Sequence, residues 1–228
     1  MGNATHIASA MTDKAATGRH SRQVFGIEVL KPSHPQLRQL KALHNPTSQG
    51  YKLWNSTWLV LDFLERQGMP EHTRILDAGC GWGLAGICCA RRYGARVTAA
   101  DIDAEVFPFL HLHAEVNGVQ IQTLNAGFAQ IPPAVLQQQD VLIGADICFR
   151  SHLVDPLFDL FQRALAAGVQ RIVLADPGRF SYKQLATRCV EELGAEEREW
   201  IVKEPLVSWS GSGMSIRGRL IHIAPTAG

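Results

Sequence analysis

Cysteine is scarce. Only five occur in 228 residues, at positions 80, 88, 89, 148 and 189, and none forms a C-x-x-C pair. An odd, unpatterned set excludes a disulfide framework and a zinc site, and fits reduced thiols in a reducing compartment. Long apolar runs are lacking too, since none reaches the roughly 18 to 20 residues that span a bilayer. No charge dominates: 22 basic side chains face 21 acidic ones, a formal net charge of +1, so no global field points to nucleic acid or a membrane surface. Internal repeats, low-complexity blocks and Ser/His/Asp or Cys/His arrangements are all missing. The sequons at Asn3 and Asn55 stand without any sign of secretion. The first 25 residues have a trace of mitochondrial-presequence composition, but Asp13 and weak amphipathicity argue against one, so the expectation is cytoplasmic.

An apolar share of 46% suits one globular domain with a sizeable core, preceded by an extension. Met1 to Gln23 is small, polar and aperiodic and is expected to be disordered. Up to Leu61 the only acids are Asp13 and Glu28, against seven Lys and Arg, which suits an acidic partner or a solvated tail. Val24 to Leu30 is expected as a strand and Pro32 to Pro46 as a connecting stretch. Tyr51 to Leu64 turns helical, with Trp54, Trp58 and Leu61 on one face and Gly68 at its end. From there strands (73–78, 95–101, 119–124, 139–145, 170–175) alternate with helices (84–93, 104–117, 151–166, 180–193), the mark of a parallel sheet covered on both faces. After Gly194, Glu199 to Val207 and Ile216 to Ile223 read as a closing hairpin.

The most informative stretch is Ile75-Leu76-Asp77-Ala78-Gly79-Cys80-Gly81-Trp82-Gly83-Leu84-Ala85-Gly86. A buried strand stops at an acid, and alternating glycines lead into an apolar helix. Glycines 79, 81 and 83 permit positive φ and leave no Cβ between backbone and ligand. The helix N-terminus suits an anion and Asp77 suits a cation, so one turn offers places for a carboxylate and an ammonium. Gly81 to Gly86 also spells G-x-G-x-x-G, with Asp101 at about the ribose-acid spacing, so a nucleotide-binding oxidoreductase is the competing reading. The longer Asp77-x-Gly79-x-Gly81-x-Gly83 pattern, and an acid where a pyrophosphate would be repelled, weigh against it.

These residues resemble the class I, seven-β-strand S-adenosylmethionine-dependent methyltransferases. The resemblance implies an α/β, Rossmann-like fold with seven mostly parallel strands flanked by helices, the last strand antiparallel. The domain is expected over residues 51–228, after an N-terminal extension at 1–50. The cofactor implied is S-adenosylmethionine, with S-adenosylhomocysteine as product. Asp101, ending strand two, suits the ribose hydroxyls or else a cap; Asp103 suits an N-cap. Phe128 is open between an adenine stack and core, and Trp54 between the cofactor and core. In the absence of an acid on strand three, Asn125 or a backbone carbonyl would serve the adenine. Cys80, Ile102 and Ala145 complete the implied cofactor contacts.

Strand four ends Gly144-Ala145-Asp146-Ile147-Cys148-Phe149. This matches an acid-x-x-aromatic motif of the protein lysine methyltransferases, with Phe149 in place of the usual Tyr. Asp146 would orient an acceptor amine and Phe149 would pack around it. Asp176-Pro177-Gly178-Arg179, expected near the cleft mouth, together with Asp101-Ile102-Asp103 and Asn117, resembles the branch that includes the electron-transfer-flavoprotein β-subunit lysine methyltransferase and nicotinamide N-methyltransferase-like proteins. A protein lysine is the implied acceptor, with a small amine or pyridine as the alternative. Trp209 is a further candidate for the acceptor pocket, and His111 and His113 read as structural or exposed.

Overall fold

The computed structural model describes residues 20–47, 49–50, 52–202 and 215–224. Its frame is a seven-stranded sheet built from β3 (Arg74–Ala78), β4 (Arg96–Asp101), β5 (Gln122–Asn125), β6 (Val141–Ala145), β7 (Arg171–Asp176), β8 (Glu196–Val202) and β9 (Ile216–Ile223). The strand order is β5-β4-β3-β6-β7-β9-β8. Neighbours from β5 to β7 pair in parallel, while β9 runs antiparallel to both β7 and β8. Strands such as Val141-Leu142-Ile143 and Ile172-Val173-Leu174 are apolar throughout because both faces of the sheet are covered.

One face carries α2 (Ser56–Gln67), α3 (Leu84–Tyr93) and α4 (Phe107–Val116) over a core that includes Phe63, Leu64, Ile87 and Val97. The other carries α5 (Pro133–Leu136), α6 (Val154–Ala166) and α7 (Phe180–Leu193) over Leu142, Phe161, Leu174 and Tyr182. Helices α3, α7 and β9 fall where the sequence pattern puts them. Two expected helices are shorter than expected, each opening as a 3₁₀ turn, Ala104–Val106 before α4 and Ser151–Leu153 before α6. Pro108 and Pro156 lie in the first turns that follow, where a missing N–H costs nothing. Helix α2 starts at Ser56, not Tyr51, so Trp54 lies on the segment leading into it.

The N-terminal region departs most from expectation. Ser21–Val24 (β1) and Ile27–Leu30 (β2) form an antiparallel hairpin rather than one strand, and Ser21 to Gln23 are ordered. Its turn, Phe25-Gly26, has φ of 51° and 77°, the left-handed pair a two-residue hairpin needs. Glycine accepts that freely. Phe25 is held in it by stacking on Trp58, with ring centroids 6.0 Å apart. Pro35–Leu43 is a helix, α1, inside what reads as a connecting stretch; of its side chains only Leu37 is buried, so almost no apolar period marks it. Strand β8 begins at Glu196, three residues early, because its charged residues pair with arginines on β9 and give no apolar alternation. Residues 203–207 of that expected strand, and Trp209, lie outside the described residues.

The hairpin is fastened to α4 by polar side chains. Glu28 donates its N–H to Asn117 Oδ1 at 2.7 Å, and Asn117 Nδ2 donates to the carbonyls of Glu28 and His113 at 2.9 and 2.8 Å. His113 is fully buried, its Nδ1 2.8 Å from the Phe109 carbonyl and its Nε2 facing the Leu30 N–H. Burial lowers its pKa to about 4, so the ring is neutral, with Nδ1 donating and Nε2 accepting. Asn117→Ala should lower unfolding free energy by about 1–3 kcal/mol, the usual cost of orphaning buried backbone groups. Denaturant unfolding checks this, with faster amide exchange at Glu28 as the local sign.

Candidate active site

The strand order reverses around β3 and β6, and open α/β sheets bind ligands at the carboxyl ends of strands at such a point. A cavity of about 680 Å³ lies there, within the range of small-molecule sites. Its floor is the turn after β3. Gly79, Gly81 and Gly83 have φ of 64°, 51° and 71°, so all three occupy the left-handed region. At Gly83 a Cβ would also come within 2.6 Å of the Leu110 side chain, which is how closely α4 presses on this turn. A Cβ at Gly81 would meet nothing and would project into open space. Glycine here keeps the ligand's approach to the backbone clear.

Three carboxylates stand along this edge. Asp77, 4% exposed, accepts the Gly86 N–H at 3.1 Å. Burial chiefly raises its pKa, with Asp101 adding to the rise and the Gly86 bond opposing it, to about 7. No cationic side chain among the described residues pairs with it. Asp101 accepts the N–H of Gly81 on Oδ2 and of Asp103 on Oδ1, both at 3.0 Å. Burial raises its pKa against those bonds. It thus both braces the glycine turn and faces the cavity. Asp103 caps the following 3₁₀ turn by accepting the Glu105 N–H, as its spacing suggests.

Asp146 follows β6 with a φ of 62°, unusual for a residue with a side chain. Its Oδ2 accepts the Ser56 N–H at 3.2 Å, and its Oδ1 is 2.7 Å from Arg179 Nη1. Asp176 is not at the cleft mouth: it is fully buried, accepting the N–H groups of Gly178 and Arg179 and pairing with the same Nη1 at 2.6 Å. Arg179 therefore bridges two carboxylates.

Twelve of the residues assigned above to cofactor or acceptor line this cavity, while Asn125 does not and Trp209 lies outside the described residues. Trp54, Asp77, Gly79, Cys80, Gly81, Gly83, Asp101, Ile102, Phe128, Ala145, Asp146 and Phe149 all line it. Phe128 is half-buried, on a 3₁₀ turn held by Arg163, whose Nη2 donates to the Phe128 carbonyl at 2.7 Å. Asn125 does not reach the cavity. Its Nδ2 donates to the carbonyls of Asp101 and Ile102, at 3.0 Å each, shaping the end of β4. Cys80 has its thiol pKa raised well above normal by burial and the nearby Asp77 and Asp101, so it is a wall and not a nucleophile.

Sequence reasoning missed the segment before α2. Thr47, Gln49, Gly50, Lys52 and Leu53 also line the cavity. Trp82, inside the glycine turn, donates its Nε1–H to the Gly50 carbonyl at 2.8 Å, and Trp54 donates to the Gln49 carbonyl at 2.9 Å. Thr47 reaches Asp103 through both its N–H and its hydroxyl. The one legible signal was Trp82, a large ring between two glycines, buried against Phe109 and His113.

Among curated proteins, the chain is 31% identical over 120 residues to the ubiquinone biosynthesis O-methyltransferase of Klebsiella pneumoniae, covering 52% of this chain and 44% of that protein. It is 31% identical over 146 residues to the ribosomal protein L11 methyltransferase of Dechloromonas aromatica, covering 64% and 43%. The chain thus matches less than half the length of these relatives. Solved structures with the same fold include the precorrin-6y C5,15-methyltransferase of Geobacter metallireducens (TM-score 0.59, 13% identity, 81% of this chain and 95% of that one). A methyltransferase of Pyrococcus furiosus is another (TM-score 0.56, 17% identity, 96% and 97%). The family model described as lysine methyltransferase matches residues 33–184, taking in the glycine turn and all three edge carboxylates, and the chain belongs to that family.

Proposed function

We propose that this protein is an S-adenosylmethionine-dependent N-methyltransferase acting on a protein lysine side chain, of the branch that includes the electron-transfer-flavoprotein β-subunit lysine methyltransferase. The observation that carries the reading is Asp77: a buried carboxyl group with no cationic partner among the described residues, beside a turn that is open at Gly81. That donor set fits a zwitterion. The ammonium end would sit on Asp77, the carboxylate end at the N-terminus of α3, the ribose hydroxyls at Asp101 and the adenine between Ile102 and Phe128. A pyrophosphate would meet Asp77 as a repulsion, which disfavours the oxidoreductase reading. The family match supports lysine as the acceptor. The small-molecule alternative keeps one support, the resemblance to a ubiquinone biosynthesis enzyme.

The cofactor, when bound, supplies an electrophilic methyl group on a sulfonium. The protein's part is alignment, and holding reactants in attack geometry contributes on the order of 7–11 kcal/mol. A lysine amine, with an ordinary pKa near 10.4, must be neutral to attack, and apolar lining from Trp54, Phe149 and Leu153 favours the uncharged form. Asp146 orients the amine through a hydrogen bond. Already engaged by Arg179 and Ser56, it is a positioning group and not a proton acceptor. Phe149 lacks a hydroxyl and contributes apolar surface.

Three outcomes are expected. In a lysate supplied with labelled cofactor and this enzyme, label enters a protein band; label confined to small molecules would favour the alternative acceptor. Asp146→Ala keeps S-adenosylhomocysteine affinity within about tenfold (about 1.4 kcal/mol) but removes turnover, and retained turnover would take Asp146 out of the acceptor site. Because an ammonium binds the ionised form of Asp77, affinity measured by calorimetry should climb as pH rises from 5.5 towards 7, by up to about tenfold per unit, then level off. Asp77→Asn should weaken binding and flatten that slope. The same raised pKa has the opposite effect on the empty protein. Its folded state keeps a proton that the unfolded chain releases near pH 4, so this contribution to stability is lost as pH rises through about 7.

A further inference from the structure

Arg179 lies outside the cavity wall, yet its guanidinium makes three contacts that converge on the acceptor side. Nη1 is 2.7 Å from Asp146 Oδ1 and 2.6 Å from Asp176 Oδ2, and the guanidinium carbon is 5.8 Å from the centre of the Trp54 ring. The two carboxylate side chains are 3% and 0% exposed, and that of Arg179 is 29% exposed. Two buried acidic side chains thus share one cation, which ties their positions together. Burial opposes the charge on Arg179, but the carboxylates outweigh it and its pKa is raised. Asp176, for its part, is locked by the N–H groups of Gly178 and Arg179 at 2.8 and 2.9 Å. The cation is therefore delivered from a fixed base, the Pro177-Gly178 turn that opens α7.

Its target is less fixed. Asp146 has a left-handed φ of 62°, a conformation that is strained for a residue with a Cβ and persists only when its surroundings impose it. Its backbone N–H continues the sheet by donating to Ala175, and among the described residues its side chain has polar contacts with the Ser56 N–H and Arg179. The Ser56 bond is the longer, at 3.2 Å. Trp54, across the same guanidinium, lines the cavity a few residues before Ser56. One cation thus pairs with the acid and faces an aromatic of the same cavity wall.

We propose that Arg179 is a positioning residue for methyl transfer: it holds the Asp146 side chain in place at the cavity wall, and sets Trp54 against it, so that the acceptor amine meets the donor in attack geometry. It touches neither reactant. This rests on the methyltransferase reading above, and the test separates the two.

Arg179→Met removes the cation at similar volume, and Arg179→Lys restores a charge on a shorter side chain without the planar guanidinium. Each variant is first titrated with S-adenosylhomocysteine by calorimetry, which counts folded sites and gives cofactor affinity. Transfer of labelled methyl from S-adenosylmethionine into the protein fraction of a lysate is then followed against lysate concentration, with rates expressed per cofactor-binding site. Arg179→Met should keep cofactor affinity within threefold, lower the saturating rate per site at least tenfold, and change the half-saturating lysate concentration less than the rate. Arg179→Lys should recover at least a third of the lost rate. A rate per site within twofold of the parent for Arg179→Met, or cofactor affinity falling in step with the rate, or Lys no better than Met, would overturn the proposal. No transfer by the parent protein into either proteins or small molecules would instead overturn the methyltransferase reading.

Discussion

Three carboxylates crowd one edge of a parallel sheet, and how each is compensated shapes the molecule around it. A parallel α/β sheet points the ends of its strands at one crevice, so acids ending neighbouring strands β3, β4 and β6 come together. Buried carboxylates need partners. Asp146 gets an arginine, and Asp101 two backbone amides from the turns it braces. Asp77 gets one amide and no cation among the described residues. That missing cation is the feature on which the proposed binding site rests.

The segment before the domain's first helix belongs to the same scheme. Asp103 and Glu105, just after Asp101, hold Thr47 and His44, and Trp82 in the glycine turn holds Gly50. Behind these bonds stands the stack of Phe109, Trp82 and His113, which also receives the hairpin β1–β2. The N-terminal hairpin, α4 and the glycine turn are thereby one packed unit, and the cavity's roof is anchored to its floor.

Much of this was legible in the residues, for physical reasons. Strands buried on both faces announce themselves as apolar runs, and glycines at alternate positions have few uses other than a positive-φ turn. Carboxylates that end such strands stand out because stability alone does not call for them. What stayed hidden was written in polar side chains. Helix α1 buries one residue, β8 is a charged edge strand, and Asn117 and Thr47 act through hydrogen bonds to backbone far away in the sequence. No periodicity encodes those. Arg179 was visible as part of a turn, but its role depends on β6 and β7 being neighbours, which only the fold supplies.

The central claim is that the edge at Asp77 is completed by the ammonium of a zwitterionic ligand. A crystal structure with S-adenosylhomocysteine tests it most directly. The account predicts the ligand's amino nitrogen within hydrogen-bond distance of the Asp77 carboxylate and its ribose hydroxyls on Asp101. A ligand seated elsewhere, or one that leaves Asp77 facing only protein, would contradict it.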